Sequence, residues 1–257
     1  MPFEPTLPVD APDLERASAF VDYLEEVGQR DRALRRPRTL SASLWQDLQP
    51  QQHLQPHLQP RDPGAAAAPA GRRAWPDVLE VLAASRRHGQ ALALYLRSEH
   101  RVVPLTVFPL QRLAHCPMRR DQFEALRLSR LQVLHVEPAL LRPPGDADAL
   151  RVGERRHYAP LSATSWLLAM RGPRSQVLPE LAGARACRRV PGLTLDTPGL
   201  CGALTAALQR LGQETASLAT IATWPGMDRA RAARLLNGLY LQGALIVSRT
   251  HPAAHAG

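Results

Sequence analysis

The chain has no lysine. All 32 basic side chains among its 257 residues are arginine. A nucleotide-binding phosphate loop needs a lysine behind its glycines, Schiff-base chemistry needs an amine, and a standard protein kinase needs a strand lysine. None of these can be built here. Dinucleotide, zinc-protease and serine-hydrolase signatures (G-x-G-x-x-G, H-E-x-x-H, G-x-S-x-G) are also missing. Cys116, Cys187 and Cys201 are odd in number and widely spaced, with no C-x-x-C pair. That excludes a zinc knuckle and a disulfide framework, and reduced thiols in a cytoplasmic protein are expected. No run of about 18 apolar residues occurs, so no membrane span is expected. The start, MPFEPTLPVDAPD, is acidic and proline-broken, unlike a secretory signal. Asparagine occurs once, at Asn237.

Arginine, alanine, leucine and proline are abundant, as in a GC-rich bacterial coding bias. Arginine usage alone therefore does not point to phosphate recognition. The balance of charge is more telling, because acidic residues are free to offset it. Residues 1–50 hold six Arg against nine acids, 72–198 hold twenty against eleven, and 199–257 hold five against two. The positive field lies in the region expected to fold. It suits a polyanion, an acidic protein or an anionic membrane surface, or is an ordinary solvated surface.

Leu14, Ala17, Val21, Leu24 and Val27 make an apolar stripe on a helix predicted over 12–34, within an acidic N-terminal segment, 1–48. It is read as docking on its own domain or on a partner. Residues 49–74 repeat x-Leu-Gln-Pro three times and continue as RDPGAAAAPAGRR, a composition for a disordered or polyproline-like linker. His53 and His57 lie in that repeat without a Cys or carboxylate cluster, and no metal site is assigned.

From 75 to 198 the pattern is that of a basic α+β domain. PDVLEVLAASRRHG is a helix stopped by Gly89; 91–97 and 101–108 are strands, with Pro104 placing the second at an edge or bulge. DQFEALRLSRL is a helix, LQVLHVE a third strand, and LSATSWLLAM either helix or strand. PRSQVLPELAG is a short helix and RVPGLTLD a last strand. Helices on one face of an antiparallel sheet, a small α+β sandwich, are the expected result.

Chemistry in this region is sparse. His135 and Glu137 share one strand face and form a conceivable acid–base pair. His115 and Cys116 are adjacent and so point apart on a strand, which favours a structural buried cysteine over a thiol nucleophile. Arg155–Arg156 and Arg188–Arg189 flank loops and are either anion-holding or solvated. No catalytic residue and no cofactor are assigned.

The segment 199–257 is more specific. A helix over 199–211, a second helix LATIA capped by Ser217, a third capped by Asp228 and closed by Gly243, and a strand ALIVS follow one another. The pattern Ser217-Leu218-x-x-Ile221-Ala222, a turn, then Arg234-Leu235-Leu236-x-x-Leu239-Tyr240-x-x-Gly243-x-Leu245 resembles the winged helix-turn-helix family. The resemblance covers about residues 199–250. At 100° per residue, Ala232, Leu235, Leu236, Leu239 and Tyr240 of the third helix cluster on one, inward side, and Arg231, Arg234, Asn237 and Gly238 lie roughly opposite. Arg231, Arg234 and Asn237 are then the candidate binding residues for a protein partner or for DNA. Few residues follow the strand, so the second strand of a wing is expected to be missing or very short.

The resulting expectation is a non-enzymatic bacterial regulatory or signalling adaptor. It would act by protein–protein interaction through the winged-helix-like module and the basic domain. The alternatives are a DNA-binding transcriptional regulator using the third helix and, third, an enzyme of unrecognised family.

Overall fold

The computed structural model describes residues 40–48 and 75–254. The predicted helix over 12–34, the linker over 49–74 and His53 and His57 lie outside the described residues. Ser41 caps α1 (Ala42–Asp47), accepting from the Leu44 N–H. Asp77 caps α2 (Val78–His88) by accepting from the Leu79 and Glu80 N–H groups at 2.8 and 3.2 Å, and Gly89 ends it in the left-handed conformation. Leu44 and Leu48 are buried in the same core as Leu79 and Leu82, and Asp47 pairs with Arg87 and His88. The tail of the expected N-terminal segment therefore belongs to the folded body.

Five antiparallel strands follow: β1 (Leu92–Ser98), β2 (Arg101–Phe108), β3 (Leu113–His115), β4 (Gln132–Pro138) and β5 (Tyr158–Pro160), in the order β4-β1-β2-β3-β5. Leu92, Leu94 and Leu96 stand opposite Val107, Leu105 and Val103 on one face. That face packs against Leu79 and Leu82 of α2 and Leu168 and Ala169 of α4 (Leu161–Arg171). Each such buried leucine contributes roughly 1.5–3 kcal/mol, so this layer dominates the domain's stability. The fold is α+β, with the helices on one face of the sheet.

Several local expectations are corrected. Pro104 lies in a central strand, not an edge one. It is tolerated because β3 pairs only with Thr106–Phe108, so at Pro104 β2 has a ladder on one side alone. LSATSWLLAM is the helix α4. DQFEALRLSRL forms α3 (Arg120–Ala125) and then a separate tight turn at Leu128–Arg130. PRSQVLPELAG yields one tight turn, Pro179–Leu181. The strand expected over 189–196 is instead β6 (Ala186–Arg189), because Pro191 and Gly192 turn the chain directly afterwards.

The last region contains α5 (Ala203–Gln213), β7 (Ala216–Ser217), α6 (Leu218–Ala222), α7 (Arg229–Gln242) and β8 (Leu245–Ser248). The caps read from the sequence are in place: Ser217 accepts from Thr220 N–H at 3.1 Å and Asp228 from Arg231 N–H at 2.7 Å. Gly243 closes α7 at φ 73°, and a Cβ there would lie 2.2 Å from Arg86 Nη2. Among the described residues no strand follows β8, and β8 pairs instead with β6 from upstream. β6 lies between β7 and β8 in a three-stranded antiparallel sheet, so this sheet crosses the expected boundary between 198 and 199. Among the described residues, no helix is long and apolar enough to cross a membrane.

Candidate functional site

The face of α7 proposed for binding is largely an internal interface. Asn237 is 0% exposed. Its Oδ1 accepts from Leu178 N–H at 2.8 Å and its Nδ2 donates to the Gln176 carbonyl at 2.9 Å. Gly238 lies under Trp166 of α4, where a Cβ would be 2.7 Å from the ring. Arg234 is half-buried and donates to the Met170 carbonyl near the end of α4. Arg231 alone stays exposed. It donates to the Gly226 carbonyl at 2.6 Å and sits 3.7 Å from its own cap, Asp228. The expectation that Asn237 reaches outward is thus corrected. A single-helix projection showed a polar face, and α4 covers that face in the folded chain.

Basic side chains fasten this interface from several elements. Arg86 of α2 donates to the Tyr240 and Leu241 carbonyls at 2.6 and 2.7 Å, satisfying acceptors that the end of α7 leaves open. Arg174 bridges Asp77 and Glu80 and donates to the Gln176 and Val177 carbonyls. Burial opposes its charge, but the two carboxylates outweigh burial and hold its pKa above the usual value.

The pair on β4 does not form an acid–base couple. Glu137 Oε1 accepts from Tyr95 O–H at 2.7 Å, whereas His135 Nε2 is 4.0 Å from Glu137 Oε2, beyond hydrogen-bond reach. His135 lies edge-on to Trp75 and tilted on Tyr95. Burial lowers its pKa against the opposing pull of Glu137. The arrangement is an aromatic and polar cluster at the sheet edge.

His115 and Cys116 do point apart. His115 packs on Tyr158 and His157, and burial, with His157 beside it, lowers its pKa to about 4. Tyr158 donates to the Arg142 carbonyl and accepts from Gly153 N–H, which pins the 139–157 loop over this face. Cys116 lines a cavity of about 60 Å³ with Phe123, Leu167, Arg120 and His157. Pockets for drug-sized ligands start at roughly 300 Å³, so this one holds only a few waters or a small group. Burial raises the Cys116 thiol and pushes Cys187 up to about 11, so neither is a ready thiolate.

Of the two Arg pairs singled out in the sequence, Arg156 is engaged by Glu154 at 2.6 Å. The other pair is different. Arg188 is exposed on β6, and Arg189 lies against α5 at Gly212 with its Nε buried and lacking a hydrogen-bond partner. Arg185 precedes β6 and exposed Arg249 follows β8. The stretches 184–195 and 243–257 contain four arginines and no carboxylate. Among the described residues, Arg185, Arg188, Arg189 and Arg249 form no ion pair. Sequence reasoning noted Arg188–Arg189 but could not gather Arg249 with them, because the β6–β8 pairing spans the whole helical region. No protein-family model, no curated protein and no solved structure matches this chain.

Proposed function

We propose that this protein is a non-enzymatic regulatory adaptor that binds an acidic protein partner through its C-terminal, winged-helix-like region. The observation that carries this reading is the small sheet β7-β6-β8, whose strands β6 and β8 with their flanks hold four arginines and no acid. Several exposed arginines elsewhere are neutralised locally: Arg119 by Asp121, Arg120 by Glu124, Arg127 by Glu99. Uncompensated positive charge raises the local concentration of anionic partners and speeds their encounter. A protein is favoured over duplex DNA because α7 does not present a free face to a groove. Its Asn237 and Gly238 are enclosed, and Arg234 is committed to α4.

The test uses the full chain and a double variant, Arg188→Ala with Arg249→Ala. Partners are captured from nuclease-treated extract of the source cells, then reproduced with the purified partner. The expected outcome is an acidic protein whose binding falls at least tenfold in the double variant and weakens with salt. Duplex DNA is titrated in parallel by fluorescence anisotropy. Tight DNA binding with a steep salt slope, and no protein partner, would replace this reading with the DNA-binding one.

A further inference from the structure

We infer that the free edge of β8 takes up an extended acidic segment of the partner as a fourth strand of the small sheet. This rests on the protein-binding reading above and names its mode. The Val190 N–H donates to the Ala244 carbonyl at 2.9 Å, which makes 190 and 244 a hydrogen-bonded pair. Antiparallel pairs alternate, so Arg188 and Ile246 are bonded next, and then Ala186 and Ser248. The N–H and C=O groups of Leu245 and Val247 therefore point away from β6. Among the described residues no strand lies on that side. An incoming strand finds two donors and two acceptors already aligned, the requirement for strand addition. Edges of this kind are usually guarded by a proline or an inward charge, and Leu245-Ile246-Val247 has neither.

The side chains define the guest. Ile246 is 49% exposed and shares its face with Arg188, directly opposite on β6. A guest residue beside Ile246 on that face lies two strand spacings, roughly 10 Å, from Arg188, a gap that Arg and Glu side chains together bridge. The opposite face carries Leu245 and Val247, which pack on the rim of the C-terminal core. The guest therefore alternates acidic side chains on the Arg188 face with apolar ones on the core face. A second copy of this chain fits less well. Two-fold pairing of β8 with itself would bring Arg188 and Arg249 of both copies onto one sheet without any carboxylate.

The probe is a fluorophore-labelled, end-capped peptide alternating Glu and Val over seven residues, titrated into the isotopically labelled full chain. The expected result is a set of amide shifts confined to residues 185–190 and 244–249, with a Gln-for-Glu peptide binding at least tenfold more weakly. Val247→Pro removes an outward N–H without touching the β6 ladder, and Arg188→Glu reverses the charge. Each should weaken the acidic peptide at least tenfold while circular dichroism stays unchanged. Should Val247→Pro disturb the fold, Arg188→Glu and the Gln peptide decide alone. Wild-type affinity in the correctly folded variants, equal binding of the Gln peptide, or shifts elsewhere would overturn the inference. So would sedimentation showing self-association that Val247→Pro abolishes. If a purified partner still binds these variants normally, strand addition fails and the adaptor reading stands. If no protein partner binds the wild-type chain, the adaptor reading itself fails.

Discussion

Asn237 shows how one polar side chain can change its meaning. Its amide satisfies a backbone donor at Leu178 and an acceptor at Gln176, both in the segment that follows α4. A buried amide left without partners costs about 1–3 kcal/mol, so the same chemistry that suits base recognition here joins two parts of the chain. His115 is the residue with a pH consequence. Its ordinary pKa is 6.5, and burial lowers it to about 4. Between those values the unfolded chain takes up a proton that the folded chain refuses. Stability from this group is complete above pH 6.5 and is lost as pH falls toward 4, by roughly 3 kcal/mol at most. Urea midpoints at about pH 7 and about pH 4.5 should therefore differ more for the native chain than for His115→Gln. An equal difference would mean that His115 is not the titrating group.

Among elements, α4 and α7 govern the architecture. α4 sends Trp166 into the C-terminal core while Leu168 and Ala169 enter the sheet core, and α7 sends Leu241 the other way. The two helices approach closely because Gly238 gives the Trp166 ring room. Gly→Ala in a helix interior ordinarily gains roughly 0.5–1 kcal/mol of propensity. Here the methyl group would meet an enclosed indole, and overpacking costs typically about 1–3 kcal/mol. Gly238→Ala should therefore lower the thermal midpoint, with a perturbed tryptophan signal. A raised midpoint would show that Trp166 yields easily. These helices also mark the limit of legibility. For α7 the caps at Asp228 and Gly243 were evident, since a cap depends on a few adjacent residues, whereas α4 could be read as helix or strand. Their contact was not evident, since polar residues at Arg234 and Asn237 look the same facing water or facing carbonyls.

At the scale of the whole molecule, the expected boundary at 198/199 cuts through a sheet. β6 pairs with both β7 and β8, and Trp166 fills the core beneath them. A fragment of residues 199–254 would lack the central strand and one of the two buried tryptophans of that core. It should show little protection in hydrogen exchange, whereas the full chain should unfold in one transition followed by both far-ultraviolet and tryptophan signals. A cooperatively folded 199–254 fragment would restore an independent module.

What the sequence determined by itself was local. The exclusion of lysine chemistry, the helix caps, the β1–β2 hairpin and the three C-terminal helices all depend on residues close together along the chain. The α+β class followed from the order of those periods. The tertiary structure alone decided which faces meet: α4 over α7, β6 between β7 and β8, and, among the described residues, four arginines without an ion pair on β6, β8 and their flanks. Such contacts join residues tens of positions apart. The same side chain can lie toward water or toward a backbone carbonyl, and only the packing of the whole chain determines which.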